Sequence, residues 1–370
     1  MSPKKVLYLI IFSLSFYYLG SAFVEIYDFA FSKRNDLDIF IYRILYYLSV
    51  YFLYIFLLFF GFFKKLDNFV RKKAKNTYIR WILFLGIMEL IVIFVKIPFH
   101  MFESFYWVVV NLWNIISFLQ NEWIYILYII LEATISLALV ILVYKKLKWW
   151  KFIVILTILY PIFSVSYIYT TQYITTLNEK CRKIKNKELE KNLRNIIKKE
   201  NVKIDSICIE ENFNTIVYTY LYFNNYKIYF WKEFLNKHSK QEALSAFYHE
   251  IYHIKENHIL KLLLLDTFFA FFAISLLYFI LKSDNIHKAL SDKKSIWISY
   301  TIFILLLIPI STIWDVIKNY VSRQYEKQAD LFAIKHTNKE TLNKILQDDN
   351  EKHTKLYKIL YYNHPIDRKY

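Results

Sequence analysis

Two histidines one helical turn apart, with a glutamate directly after the first, stand in the stretch YHEIYHIKENH at positions 248–258. Side chains four residues apart share one face of an α-helix, so the imidazoles of His249 and His253 can both reach one metal ion. Glu250 follows His249 and is placed to act on a water molecule at an open zinc position. The pattern H-E-x-x-H on a helix is typical of zinc-dependent proteases and predicts a metal centre here.

A catalytic zinc ion takes a third protein ligand and keeps its fourth position open. The segment SRQYEKQAD, residues 322–330, supplies Glu326 as a candidate. Asp330 lies one turn further on the same face and is expected to hydrogen-bond the second nitrogen of a ligand histidine. Arg323, one turn before Glu326, is expected to orient its carboxylate. The spacing alone fits equally well a solvated helix at the membrane surface with charge pairs between turns.

The chain that positions these residues has the composition of a membrane protein. Its 370 residues are 56% hydrophobic and 20% aromatic, with only 3 glycines. A helix needs roughly 20 apolar residues to cross a bilayer. Seven runs are predicted spans: Val6–Val24, Ile39–Phe63, Trp81–Ile97, Trp123–Tyr144, Phe152–Tyr169, Leu260–Leu281 and Ile296–Ile317. The shorter run Phe105–Leu119 is rich in tryptophan and is interpreted as an interfacial or re-entrant segment.

A polar segment separates the fifth and sixth runs. Residues 171–200 place apolar side chains at helical spacing among lysines and glutamates, so the fifth span is expected to continue as an amphipathic helix. Residues 214–230, NTIVYTYLYFNNYKIYF, are rich in Val, Thr, Tyr and Ile and predict a β-hairpin. The following residues favour a helix that carries the H-E-x-x-H motif into the sixth span.

These elements predict a predominantly α-helical, polytopic membrane protein with about seven transmembrane helices and a small β-hairpin in a zincin-like catalytic domain. Four segments are expected in chain order: a transmembrane region at 1–170, a catalytic segment at 171–259, two transmembrane helices at 260–317 and a catalytic C-terminal segment at 318–370. The net charge of +17 is concentrated beside the apolar runs, where anionic lipid headgroups attract it. No basic stripe accompanies a nucleic-acid-reading module, so the expected partners are the bilayer and a substrate.

The motifs HEIYHIKENH and SRQYEKQAD together closely resemble those of integral-membrane zinc proteases of the CAAX prenyl protease type I family and their bacterial HtpX-like relatives. The family pattern is HE-x-GH with a further His, then a later SR-x-x-E-x-x-AD. The stretch NTIVYTYLYFNNYKIYFWKEFL is similar to the family's edge-strand region. The resemblance covers most of the chain, and its specific motifs lie within residues 205–335.

The resemblance implies one Zn2+ per chain, held by His249, His253 and Glu326, with Glu250 as the general base. It also implies that Asp330 hydrogen-bonds a ligand. His258 matches the family's trailing histidine, although a polar residue is equally expected where a helix enters the membrane.

Two further assignments concern the oxyanion and the substrate backbone. The tail NHPIDR is similar to the family's His-Pro…Arg element, which implies that His364 stabilises the oxyanion formed during hydrolysis. A substrate peptide is expected to pair as an added strand along the edge that begins with Asn214, Thr215 and Ile216.

Three positions depart from the family pattern, and none is a metal ligand. Tyr252 stands where the family has glycine, so its ring must be accommodated. Thr215 stands where alanine is usual. Arg368 follows His364 sooner than the pattern expects.

The expected protein is an integral-membrane zinc metalloendopeptidase that acts on peptides or membrane-associated proteins, in the plasma or inner membrane of a bacterium or the endoplasmic reticulum of a eukaryote. Two alternatives stay open, a sensor-type membrane metalloprotease and a catalytically silent membrane scaffold. The intact Glu250 argues against the scaffold. The side of the membrane also stays open, because the Lys and Arg residues of the short loops favour an outer site, whereas the resemblance implies a cytosolic one.

Overall fold

The computed structural model describes residues 2–32, 37–76, 79–91 apart from 85 and 89, 144, 147–177, 182, 184, 186–210, 217–222, 225–293, 295–346 and 354–361. Twelve α-helices are used below: α1 Pro3–Leu14, α2 Gly20–Phe31, α3 Leu37–Phe59, α4 Phe62–Lys73, α5 Trp149–Leu177, α6 Lys187–Glu200, α7 Lys232–Lys237, α8 Lys240–Lys255, α9 His258–Lys282, α10 Ile296–His336, α11 Lys339–Leu346 and α12 Lys355–Tyr361. A π-helical turn, Ser15–Leu19, joins α1 to α2, and a 3-10 turn, Ile286–Ala289, precedes α10. The strands are β1 Ile204–Glu210, β2 Val217–Tyr222 and β3 Asn225–Trp231.

Long apolar helices confirm the polytopic, mainly helical fold class. Within the described residues, the stretches long enough to cross a bilayer are Pro3–Phe31, Trp149–Ser166, His258–Lys282, Ile296–His336 and the bent pair Arg43–Phe59 with Phe62–Lys73. The bend of 67° falls at Gly61, whose φ of 60° is left-handed and open to glycine without strain. The helix of the predicted span Ile39–Phe63 therefore ends earlier, at Phe59.

Part of the predicted membrane region lies outside the described residues. This holds for the run Phe105–Leu119, for Trp123–Tyr144 apart from its last residue, and for the second half of Trp81–Ile97. The beginning of that last run belongs to a short apolar helix, Ile79–Met88.

The chain divides into two compact units. One consists of Met1–Leu156 and Phe271–Trp314, and the other of Thr157–Ala270 and Asp315–Tyr370. In the first unit, the fully buried Asp67 accepts hydrogen bonds from Arg71 at 3.0 Å and from the indole of Trp297 at 2.7 Å. A buried carboxylate is costly unless it is paired, and Arg71 supplies the opposite charge. The sequence-order division into four segments stays a prediction.

The second unit contains a three-stranded sheet with the order β1-β3-β2. β2 and β3 pair antiparallel from Val217 opposite Phe230 to Tyr222 opposite Asn225, which confirms the predicted hairpin. β1 pairs parallel with β3 and was not predicted. The outer edge of β1 is bridged by Arg182, whose carbonyl accepts the N–H of Ile209 at 2.9 Å. β2 forms the opposite edge of the described sheet.

The fifth span continues past Tyr169 as α5 to Leu177, but α6 is a separate helix that begins at Lys187, so the prediction of one helix through residue 200 is wrong. Asn186 caps the new helix, since its side-chain oxygen accepts the backbone N–H groups of Glu188 and Leu189 at 3.1 and 3.0 Å. The apolar face of α6, including the fully buried Leu193, packs in one core cluster with Phe230 of β3. This core supports α8, which carries the H-E-x-x-H motif.

Candidate metal centre

Local sequence signals make α8 a well-defined helix. Ser239 and Glu242 form a capping box in which the serine oxygen accepts the N–H of Glu242 at 3.3 Å and the glutamate accepts the N–H of Ser239 at 2.9 Å. Phe247 and Ile251, both fully buried, belong to the core cluster under the sheet. Anchoring of this apolar face turns the histidine face of α8 towards α10.

α10 presents a stripe of side chains at helical spacing to the histidine face of α8. Thr337, just beyond the last turn of α10, donates to the hydroxyl of Ser245 at 3.1 Å, and Asp330 and Glu326 contact His249. Later residues of α8 contact earlier residues of α10, so the two helices run antiparallel. Ala329 and Ala333 lie on this side of α10 and are fully buried, which leaves room for close approach.

Three predicted ligands converge at one point. The Nε2 atoms of His249 and His253 are 3.1 Å apart. The Glu326 carboxylate places Oε2 at 3.3 Å from His249 Nε2 and Oε1 at 3.5 Å from His253 Nε2. Among the described residues, these three side chains are the group that could hold a metal ion, with ligand atoms within 4.8 Å of one another.

The donor set fits a zinc ion. Two ligands of a tetrahedral zinc ion, each about 2.0–2.2 Å from it, stand roughly 3.3–3.6 Å apart. The distances of 3.1 Å between the two Nε2 atoms and 3.3 Å between His249 Nε2 and Glu326 Oε2 match that spacing within a few tenths of an ångström, and the other carboxylate oxygen, Oε1, lies 3.5 Å from His253 Nε2. Two imidazoles and one carboxylate also form the ligand set of several zinc peptidases, in which the fourth position stays open.

The remaining ring nitrogens also have partners. Nδ1 of His249 lies 2.9 Å from Oδ1 of Asp330, whose side chain is fully buried. Nδ1 of His253 lies 2.9 Å from Nδ1 of His258. Metal-binding histidines commonly donate their second N–H to a partner that fixes the ring and its tautomer. Both rings are therefore held with Nε2 directed at the candidate metal position.

The carboxylates set the charge of His249 in the metal-free protein. Burial alone lowers the pKa of this imidazole, but hydrogen bonds to Asp330 and Glu326 outweigh burial and raise the pKa to about 10. Near neutral pH the metal-free ring is therefore an imidazolium, and a metal ion must displace its proton before it can bind.

The ring of Tyr252 is accommodated between aromatic neighbours. Its centroid lies 4.9 Å from that of Phe332 on α10 and 5.7 Å from that of His258. A glycine at this position has no side chain to pack, whereas the ring of Tyr252 packs against Phe332 and His258. Phe332 carries no recognisable sequence signal for this role, because its contact with Tyr252 depends on the pairing of α8 with α10.

The remaining predicted site residues are not among the three that converge on the candidate metal position. Glu250 is half-buried on α8 beside His249. Arg323 is buried and donates to the carbonyl oxygen of Ile359 in α12 at 3.2 Å, so it links α10 to α12. His364, together with Asn214, Thr215 and Ile216, lies outside the described residues.

Both motifs lie in a region of the chain that matches a known peptidase family. The model of peptidase family M48 matches residues 183–369, which is half of the chain and includes both motifs. A CAAX prenyl protease 1 homolog of Dictyostelium discoideum is 32% identical over 123 residues, covering 32% of this chain and 28% of the relative. CAAX prenyl protease 1 of Saccharomyces cerevisiae is 23% identical over 220 residues, covering 52% of this chain and 49% of the relative.

The fold extends beyond the matched sequences. The crystal structure of S. mikatae Ste24p superimposes with a TM-score of 0.78 at 18% identity and covers 97% of this chain and 96% of that chain. The aligned sequences span at most about half the length of the two curated relatives, so the similarity in fold is more extensive than the similarity in sequence. The chain belongs to peptidase family M48, and its fold is similar to that of S. mikatae Ste24p.

Proposed function

We propose that the protein is an integral-membrane zinc endopeptidase that hydrolyses peptide bonds in peptide or membrane-associated protein substrates. The observation that carries this proposal is the convergence of His249, His253 and Glu326, with both histidines held at Nδ1. The two Nε2 atoms are 3.1 Å apart and both lie within 3.5 Å of the Glu326 carboxylate, so one metal ion placed between them could bind all three side chains.

The chemistry follows from the residues around the site. A zinc ion held by His249, His253 and Glu326 would polarise the scissile carbonyl and lower the pKa of water at its open position. Glu250, one residue after His249, takes the proton of the attacking water and passes it to the leaving amine. His249, His253 and Glu326 hold the metal, and Asp330 keeps His249 in the tautomer that binds through Nε2. His364 is proposed to donate to the oxyanion.

The edge of the sheet offers a place for the substrate backbone. β2 is an edge strand, and it packs against α8, the helix of His249 and Glu250. The outer edge of β1 is already bridged by Arg182, so an added strand is proposed to pair with β2 and its preceding residues Asn214, Thr215 and Ile216. Main-chain pairing of this kind binds peptides of many sequences.

A prenylated C-terminal peptide is the substrate class to test first, because both curated relatives are named CAAX prenyl proteases. The purified full chain, reconstituted in lipid vesicles, is incubated with a farnesylated CAAX peptide and with its unprenylated form, and the products are read by mass spectrometry. Cleavage is expected to stop when a chelator removes the metal and to return with added zinc.

The matched control is Glu250→Gln, which keeps the size of the side chain and removes its basicity. Loss of a general base typically slows such a reaction by about 10²–10⁴-fold. Equal cleavage by the wild type and Glu250→Gln contradicts the proposed mechanism. Zinc-dependent cleavage of the unprenylated peptide alone supports the peptidase and rejects the prenylated substrate class.

A further inference from the structure

His258 occupies a backbone position that brings it back onto the metal site. α8 ends at Lys255, and Asn257 adopts a left-handed conformation with φ of 53° before α9 begins at His258. Asparagine enters this region more readily than most residues. In an unbroken helix, five residues correspond to a rotation of about 140°, which would direct His258 away from His253. The break at Asn257 instead leaves their Nδ1 atoms 2.9 Å apart.

The contact has one direction that permits metal binding. If Nδ1 of His258 donates to Nδ1 of His253, the neutral His253 carries its proton on Nε2 and cannot bind a metal there. If His253 donates from Nδ1, its Nε2 carries a lone pair that is directed at Nε2 of His249, 3.1 Å away. In the second arrangement His258 accepts the hydrogen bond and keeps its own proton on Nε2.

Two further contacts hold the His258 ring in place. The ring is only 2% exposed and stacks on Tyr325 with centroids 4.3 Å apart and planes 10° from parallel. Tyr325 directly precedes the ligand Glu326, and the edge of Tyr252 lies on another side at 5.7 Å. The position of the Nδ1 acceptor is thus fixed relative to both α8 and α10.

The polar character of His258 is not explained by its packing alone. Its Nε2 is buried and has no hydrogen-bond partner within the part of the chain that the structure describes. A buried polar atom without a partner costs about 1–3 kcal/mol, which a phenylalanine ring stacked on Tyr325 would avoid. For packing alone a phenylalanine would therefore be more favourable, and what the imidazole adds is the contact of Nδ1 with His253.

We propose that His258 is a positioning residue that accepts the Nδ1 proton of His253 and fixes the tautomer in which His253 binds the metal. It does for His253 what Asp330 does for His249, with a neutral ring in place of a carboxylate. The inference rests on the proposed zinc site and deepens it, since the two ligand histidines are held by chemically different partners.

Three variants separate the hydrogen bond from the packing. His258→Phe keeps a flat ring for Tyr325 but removes Nδ1. His258→Asn places an amide oxygen near the position of Nδ1, whereas His258→Gln extends its amide towards the position of Nε2. His238→Phe is the matched control, because His238 also packs against an aromatic ring, Phe234, and forms a hydrogen bond through Nδ1 to a side chain, Glu242, at 2.9 Å.

The experiment measures zinc affinity of the metal-free full chain in detergent by competition with a chromophoric chelator. Cobalt absorption spectra of each variant serve as a second measure of ligand geometry. Loss of a partner to a metal-binding histidine typically weakens affinity by about 10–100-fold. We expect this loss, and an altered cobalt spectrum, for His258→Phe and His258→Gln, with His258→Asn and His238→Phe close to the wild type.

The outcomes are decisive in each direction. Wild-type affinity in His258→Phe, or equal weakening in His258→Asn and His258→Gln, overturns the positioning role while leaving the zinc site intact. Absence of zinc binding by the wild type itself contradicts the proposed function instead. If His258→Phe does not fold, the comparison of the Asn and Gln variants still decides the inference.

Discussion

Nδ1 of His249 lies 2.9 Å from Oδ1 of Asp330, although 81 residues separate the two along the chain. The contact joins the H-E-x-x-H helix to the end of the long helix α10 beyond its apolar stretch. With 41 residues, α10 is about 60 Å long at 1.5 Å per residue, roughly twice the hydrocarbon thickness of a bilayer. One continuous helix can therefore both cross the membrane and deliver Glu326 and Asp330 to the site.

Zinc binding is expected to release a proton. The pKa of His249 is raised from 6.5 to about 10 in the metal-free fold, so the imidazolium stabilises that fold fully below the unfolded pKa. This stabilisation is lost as pH rises through the folded pKa. Because zinc binds only the neutral ring, its apparent affinity should increase by about tenfold per pH unit between pH 7 and 9.

Calorimetry in two buffers of different ionisation enthalpy measures this release. About one proton per zinc ion is expected from His249 at pH 8. An affinity that does not change between pH 7 and 9 contradicts the assigned charge of His249.

Asp330→Asn should alter both the affinity and its pH dependence. The amide can still accept the N–H of His249 but no longer supplies a negative charge, so the pKa of His249 falls and less proton is released on zinc binding. At the high-pH limit, where proton competition is smallest, affinity should fall by about 10–100-fold.

Glu340→Gln is the control for this change, since Glu340 is an exposed carboxylate on α11. It should bind zinc as the wild type does at every pH. Unchanged affinity and unchanged proton release in Asp330→Asn would show that Asp330 does not act on the metal ligand.

Tyr252 should contribute to stability rather than to metal binding. Removal of its ring in Tyr252→Ala takes away one of the aromatic neighbours of Phe332 and should lower the free energy of unfolding by about 1–3 kcal/mol. Tyr252→Gly introduces the residue that the family has at this position. It should lower the free energy of unfolding by about 1 kcal/mol more than Tyr252→Ala, because glycine is unfavourable within a helix.

Thermal unfolding of the metal-free and zinc-bound forms in detergent measures both effects. Tyr252→Phe keeps the ring and should retain most of the stability, while all three variants should still bind one zinc ion. Loss of zinc from Tyr252→Ala, with stability unchanged, is the result that rejects this assignment.

Local periodicity explains which parts of the structure could be predicted. The spacing of His249 and His253 and the apolar runs depend on neighbours in sequence, so a helix and spans follow directly. The short strand β1 was missed because its pairing with β3 is parallel and non-local, and seven residues of mixed character carry no alternation of their own.

The contacts between α8 and α10 at the site could be predicted only in part. Resemblance to a family suggested Glu326 and Asp330, but spacing did not indicate which histidine each carboxylate contacts. The sequence also gave two equal interpretations of His258, because the left-handed Asn257 that redirects it is visible only in the backbone. The break before α6 was missed for the same reason, since helical spacing continues across it.

Zinc content of the purified chain, measured by mass spectrometry together with peptide cleavage, tests the central claim most directly. The wild type should contain one zinc ion per chain and cleave peptide, Glu250→Gln should contain zinc without cleaving, and Glu326→Ala should lose the metal. Full zinc occupancy and unchanged cleavage in Glu326→Ala would contradict a site built from His249, His253 and Glu326.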